Sequence, residues 1–282
     1  IRLSLVGSEM CIRDRISAAH DMASWPGVLL PGTYNAIMCR ALIGGLDGFT
    51  PAERAALVGW LESHRLPDGR FRIPGMHDDA VFKKPDPAET WGYIDFHVTN
   101  YSLGAIEVLE PGRRPRLDFA RPFLDPQTLL AWLALRDLRD PWQEGNNIIN
   151  LGSFLMGLRA EDPARADAAL ETLFTWHDRL QEPSTGFWGL NQAHDATALL
   201  HAFAGSMHNF HLWYALGRPL PHQSRAVDYV LTLPPVVDSA CIDADAVDLL
   251  VHGLALTGHR EAELRAWCAA LLPRLLDWQE ED

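Results

Sequence analysis

One turn recurs along this chain and restricts its fold more than any other feature. It is written as Trp60-Leu-Glu-Ser-His-Arg-Leu-Pro-Asp-Gly-Arg-Phe71 and again as Trp176-His-Asp-Arg-Leu-Gln-Glu-Pro-Ser-Thr-Gly-Phe-Trp188. A third copy begins at Leu276-Asp-Trp-Gln-Glu-Glu-Asp282 and stops there. Each copy starts as the end of an amphipathic helix. The two longer ones add a few polar residues, an Asp-Gly or Thr-Gly turn and an aromatic. Glycine supplies the positive φ that ends a helix, and the aromatic is expected to fold back on it.

Helix signals fill the space between these turns. Thr50-Pro51-Ala52-Glu53 is a capping box with proline at the first helical position. Leu57, Val58, Trp60 and Leu61 follow as an apolar stripe. Asp125-Pro126 and Asp162-Pro163 open two further helices. Apolar helical patterns also cover about 33–46, 91–109, 144–159, 195–216, 224–233, 244–256 and 260–278. No stretch of six residues alternates with period two, so strands are not expected. Residues 70–90 and 111–124 are rich in Pro, Asp and Arg and read as loops.

Helix-to-helix junctions fall near 68, 140, 186, 235 and 282. After the first interval the spacing is about 46–50 residues, one helical hairpin per repeat. A hairpin cannot bury its apolar face alone, so neighbours must stack. The helices over 195–216 and 244–256 carry few charges, which predicts burial on both sides. The expectation is an all-α chain whose hairpins close into a double-layered ring.

Composition removes other classes. The formal net charge of −13 argues against a nucleic-acid scaffold. No run of eighteen apolar residues exists, so no membrane span is expected. Four cysteines, at positions 11, 39, 241 and 268, form no CxxC pair. Scattered cysteines suit a reduced compartment, and a cytoplasmic location is expected.

The repeated turns resemble those of the terpenoid cyclase and protein prenyltransferase α/α-toroid superfamily, over roughly residues 33–282. The resemblance implies about six hairpins in a ring, of which about five are present here. It also implies a central cavity that takes a small-molecule or oligosaccharide substrate. Toroidal polysaccharide lyases and glycoside hydrolases share the ring, and a non-catalytic helical-repeat binding protein is a third possibility. Separately, Leu5 to Arg15 (LVGSEMCIRDR) resembles the translation of a sequencing adapter. Residues 1–15 are therefore read as non-native. Residues 16–282 are expected to form one toroid domain, incomplete at both ends.

In such a ring, polar residues at the starts of inner helices face the cavity. Four starts are polar: Asp95, His97, Asn100 and Tyr101; Trp142, Glu144, Asn146 and Asn147; His194 and Asp195; and Cys241, Asp243, Asp245 and Asp248. His201, His208 and His211 share one helical face. Aspartates at 243, 245 and 248 can cap a helix. Crowded, they can also yield a general acid. Class II cyclases protonate an alkene with a DxDD motif. Asp243 and Asp245 match its first two aspartates, which implies Asp245 as proton donor, but Ala246 replaces the last. Prenyltransferases bind zinc through Asp, Cys and His. Here Asp243 follows Cys241 rather than preceding it, and no metal or other cofactor is expected. For a lyase, Asn100, Asn146 or Asn147 would neutralise a uronate, and His97 or Tyr101 would remove the C5 proton. The candidates are thus Asp243, Asp245, His97 and Tyr101 as catalytic groups. Asp95, Asn100, Trp142, Asn146, Asn147, His208 and His211 are the candidate substrate-binding groups.

Overall fold

A computed structural model describes residues 26–72, 94–139, 141–189, 195–235 and 240–277. Every regular element among the described residues is helical. In chain order they are α1 (Pro26–Leu42), α2 (Pro51–Glu62), α3 (Phe96–Leu109), a 3₁₀ helix (Asp118–Leu124), α4 (Pro126–Ala134) and α5 (Pro141–Leu158). After these come α6 (Pro163–Leu180), α7 (Ala196–Ala215), α8 (Gln223–Val230), α9 (Ala240–Thr257) and α10 (Glu261–Asp277). The all-α expectation holds. Among the described residues no helix is long and apolar enough to cross a membrane. Residues 1–15, His194 and the last part of the third turn lie outside the described residues.

The starts follow from local chemistry. The Thr50 hydroxyl accepts the Glu53 N–H at 3.3 Å, and the Glu53 carboxylate accepts the Thr50 N–H at 2.8 Å. Two orphan donors at the start of α2 are thereby satisfied. Asp125 caps α4 by accepting the Thr128 N–H at 2.8 Å. Asp162 accepts the Arg165 N–H at 3.2 Å at the start of α6. The expected loop over 111–124 is corrected in its second half. There Phe119, Ala120, Phe123 and Leu124 are buried on one side of a 3₁₀ turn, while Arg121 and Pro122 face solvent. Burial of those apolar groups outweighs the polar composition that suggested a loop.

The described residues group into two compact units, residues 26–135 with Asn150–Leu173, and Arg136–Ile149 with 174–277. In the first, α1 and α2 pack on α3 around Tyr34, Leu61, Phe71 and Ile106. Phe154 meets Phe96 and Phe119 edge-on at 5.4 and 4.9 Å between centroids, a geometry that suits the quadrupoles of aromatic rings. In the second, α9 packs on α7, α8 and α10.

Each unit contains one copy of the turn, and the two copies are built alike. In the first, the Leu66 N–H donates to the Arg70 carbonyl at 2.7 Å, and Arg65 and Phe71 form an isolated antiparallel bridge. In the second, the Glu182 N–H donates to the Phe187 carbonyl at 2.7 Å, and Gln181 and Trp188 form the bridge. The aromatic N–H then leaves the turn for a hydroxyl on the next apolar helix. Phe71 donates to Thr99 Oγ1 of α3 at 2.9 Å, and Trp188 to Ser206 Oγ of α7 at 3.2 Å. The first bridge residue returns a side-chain donor to the glycine carbonyl, from Arg65 at 3.4 Å and from Gln181 at 2.7 Å. Gly69 (φ +101°) and Gly186 (φ +77°) are doubly required. Their φ is left-handed, and a Cβ would lie 2.2 Å from the Arg116 carbonyl oxygen or 2.7 Å from that of His222. The turn is therefore a dock that ties a helix end to the next apolar helix.

Candidate functional site

The second unit gathers polar side chains from α7 and α9. Asp195 caps α7, accepting the Thr197 and Ala198 N–H groups at 2.7 and 3.1 Å. Further along, His211 and Tyr214 lie one turn apart. On α9, Asp245, Asp248 and His252 recur at three and four residues and so share a face. His211 Nε2 lies 3.0 Å from Asp248 Oδ2. His252 Nε2 lies 3.5 Å from the other oxygen of the same carboxylate. The His252 ring stacks on Tyr214, with centroids 3.9 Å apart. The Tyr214 hydroxyl donates to Gln223 Oε1 at 3.2 Å.

The electrostatics follow from this arrangement. The hydrogen bond to Asp248 raises the His211 pKa above the ordinary imidazole value. Burial opposes it, and the charges of Asp248 and Asp245 reinforce it. Burial pushes the Asp248 carboxyl up, but the His211 bond and the charges of His211 and His252 outweigh it, and its pKa falls. Burial raises the Tyr214 phenol, which stays protonated as a donor. One carboxylate thus hydrogen-bonds the His211 imidazole and lies within ion-pair distance of the His252 imidazole. An imidazole held this way by one nitrogen presents the other for proton transfer.

His211 and Asp245 were candidates in the sequence, and the structure brings them into one electrostatic cluster with Asp248. His252, Tyr214 and Gln223 were missed. The first is signalled by its i+4 spacing from Asp248, the others by nothing local. Asp243, Asp245 and Cys241 are half-buried near the start of α9, and Ala246 is buried in the core. His208 is half-buried on α7, one turn before His211, and His201 is exposed, its ring edge-on to Trp142 at 5.6 Å. Among the described residues no group of three or more His, Cys, Asp or Glu side chains has a geometry able to hold a metal ion.

The start of α5 is a buried polar network. Glu144 pairs with Arg136 at 3.1 Å, accepts the Asp137 N–H at 3.1 Å, and accepts the Asn147 side-chain amide at 3.1 Å. Asn146 donates to the Trp142 carbonyl at 3.1 Å. These contacts tie the side-chain N–H groups of Asn146 and Asn147 to their own helix, while Asn147 Oδ1 is buried without a hydrogen bond among the described residues.

The remaining candidates lie in the first unit. Asp95 has no exposed surface and immediately precedes α3. Arg72 Nη2 meets its two oxygens at 2.7 and 3.0 Å, and Arg70 Nη1 meets it at 3.0 Å. It therefore clamps the residues flanking Phe71. The Asp95→Ala variant leaves two arginines without that buried carboxylate and is expected to lose about 3–5 kcal/mol, read as a lower urea midpoint. His97 lies against Tyr101, with centroids 4.5 Å apart, and burial lowers its pKa to about 4. It is therefore a neutral imidazole near pH 7. Asn100 Nδ2 donates to Asn150 Oδ1 at 2.9 Å. Comparison with known proteins finds no matching family model, no matching curated protein and no matching solved structure.

Proposed function

We propose that the chain is an α/α-toroid protein with helix-pair repeats of the terpenoid cyclase and prenyltransferase kind. On this reading it is an enzyme that performs general acid–base chemistry on a polar small-molecule or oligosaccharide substrate. The repeated docking turn supports the architecture. The observation that carries the chemistry is the carboxylate of Asp248 held between His211 and His252, with Tyr214 stacked beside them.

His211 is the proton-transfer group, Asp248 positions it, and Tyr214, its hydroxyl bonded to Gln223, stacks on His252. The side chains of His211, Asp248 and His252 are 47, 38 and 40% exposed. That exposure favours a hydroxylated substrate over a carbocation, which needs a dry apolar cavity. A second reading keeps Asp245 as proton donor to an alkene. Its support is that Asp245 is half-buried and its charge acts on His211.

The test is turnover of uronate polymers, aryl glycosides and isoprenoid diphosphates by the full chain. His211→Gln and Asp248→Asn are expected to lower kcat by about 10²–10⁴-fold on the active substrate class. The acid limb of the pH profile lies above about 6.5, the ordinary imidazole value. Removing the Asp248 charge moves that limb to lower pH, because the carboxylate is what raises the His211 pKa. Full activity in both variants overturns the assignment. Loss of isoprenoid turnover in Asp245→Asn alone transfers it to the second reading.

A further inference from the structure

A cleft of about 210 Å³ lies within the unit formed by residues 26–135 and Asn150–Leu173. Its polar wall includes Arg65, Arg113, Arg114, Glu107, Asn100 and Ser153, and Leu103 and Phe154 supply apolar surface. Two of the arginines are already matched. Glu62 takes Arg65 at 2.5 and 2.8 Å, and Arg113 pairs with Glu110 at 2.8 Å and Glu62 at 3.3 Å. The Glu107 carboxylate accepts the Gly112 N–H at 3.0 Å. Arg114 differs from them, because among the described residues its guanidinium makes no ion pair and no hydrogen bond.

Other groups along the same wall are incompletely used. The hydroxyl of a serine inside a helix can bond the carbonyl four residues back or turn outward. Ser153, inside α5, makes no such bond among the described residues. Asn100 spends its amide N–H on Asn150 Oδ1, while its own Oδ1 accepts no hydrogen bond there. Asn150, only 1% exposed, has a buried Nδ2 with no acceptor. Buried amides of this kind are nearly always satisfied. The protein's own hydrogen bonding is thus incomplete at Asn100, and the same cleft is lined by the uncompensated guanidinium of Arg114.

We infer that this cleft is a binding site for a small organic oxyanion, a carboxylate or phosphate carried on a compact hydroxylated body. Arg114 holds the oxyanion through its two-pronged donor face. Ser153 and Asn100 meet hydroxyl groups, one as donor and one as acceptor. Leu103 and Phe154 cover the apolar face of the body. The volume is below the roughly 300–1,000 Å³ of drug-sized pockets, which limits the ligand to about monosaccharide size. The site stands independently of the His211 cluster, which lies in the other unit.

The test is calorimetric titration of the full chain at low salt with glucuronate, glucose 6-phosphate and glucose. At least one anion is expected to bind saturably at millimolar concentration or below, and glucose is not. The better anion identifies the head group as carboxylate or phosphate. Arg114→Ala is expected to weaken binding about tenfold or more. Ser153→Ala weakens it less, and Arg165→Ala, an exposed arginine elsewhere in the same unit, leaves it unchanged. His211→Gln also leaves it unchanged, so failure of this site and failure of the proposed reaction are read separately. The inference is overturned if neither anion saturates, if glucose binds as tightly, or if Arg114→Ala binds like the wild type.

Discussion

Replacing Gly205 with alanine is expected to cost on the order of 4 kcal/mol, among the largest effects of any single methyl group in this chain. Gly205 lies on α7 where that helix crosses the first turn of α5. A Cβ there would sit 2.0 Å from the Pro141 carbonyl oxygen and 2.4 Å from its carbon. Both atoms are backbone, so no side chain can swing aside. The crossing is tight from the other side as well, since a Cβ on Gly145 would meet the Gly205 carbonyl oxygen at 2.3 Å. Asn209 stitches the pair together, donating to the Gly145 and Gly205 carbonyls at 3.1 and 3.0 Å. An added methyl must push the helices apart, breaking those hydrogen bonds and opening voids around Trp142. Overpacking and cavity formation then act together. The control is Gly59→Ala on α2, where nothing lies within 4 Å of the new Cβ. That variant is expected to gain up to about 1 kcal/mol from helix propensity alone. Equilibrium urea denaturation of both separates the effects. Equal stability of Gly205→Ala and wild type would remove the close crossing.

The contrast between these glycines shows where sequence information ran out. The helix starts at Thr50, Asp125 and Asp162 were legible because a cap is chemistry among neighbours in the chain. The turn glycines were legible for the same reason. Gly205 carries no such signal, because its requirement comes from a carbonyl 64 residues earlier. The candidate site divides in the same way. Periodicity placed Asp245 and Asp248 on one helix and His211 on another, but it cannot say which face of α9 meets which face of α7. His252 and Tyr214 therefore went unnoticed. Asp95 was legible as a polar helix start, whereas its partners Arg70 and Arg72 lay at the edge of a segment read as loop. Without them, a buried carboxylate that fastens a turn looks the same as one that faces a substrate.

Comparison of the two turns yields the second large effect. The bridges align Arg65 with Gln181, so the position held by Leu61 in the first copy is held by His177 in the second. Leu61 is fully buried and His177 is 1% exposed. The imidazole stacks on Trp188 at 4.5 Å and meets Trp213 edge-on at 5.1 Å. No well-formed hydrogen bond reaches either ring nitrogen among the described residues. Burial lowers the pKa to about 3, and the Asn209 side chain offsets only part of that. The unfolded chain protonates the same group near 6.5. Between those two values the unfolded state binds more protons than the folded one, so stability falls as pH falls. The slope is about 1.4 kcal/mol per pH unit, reaching on the order of 3 kcal/mol by pH 4.5. Above about pH 7 the group contributes no pH dependence. His177→Leu copies the residue of the first turn into the second and removes the proton site while keeping an apolar occupant. The measurement is the difference in unfolding free energy between wild type and His177→Leu across pH 4.5–7.5, which cancels carboxylates common to both. Wild type is expected to lose ground steadily below about pH 6.5. Two parallel pH curves would mean that the imidazole is hydrated or paired in the folded protein, and that the second turn does not bury it as the first buries Leu61.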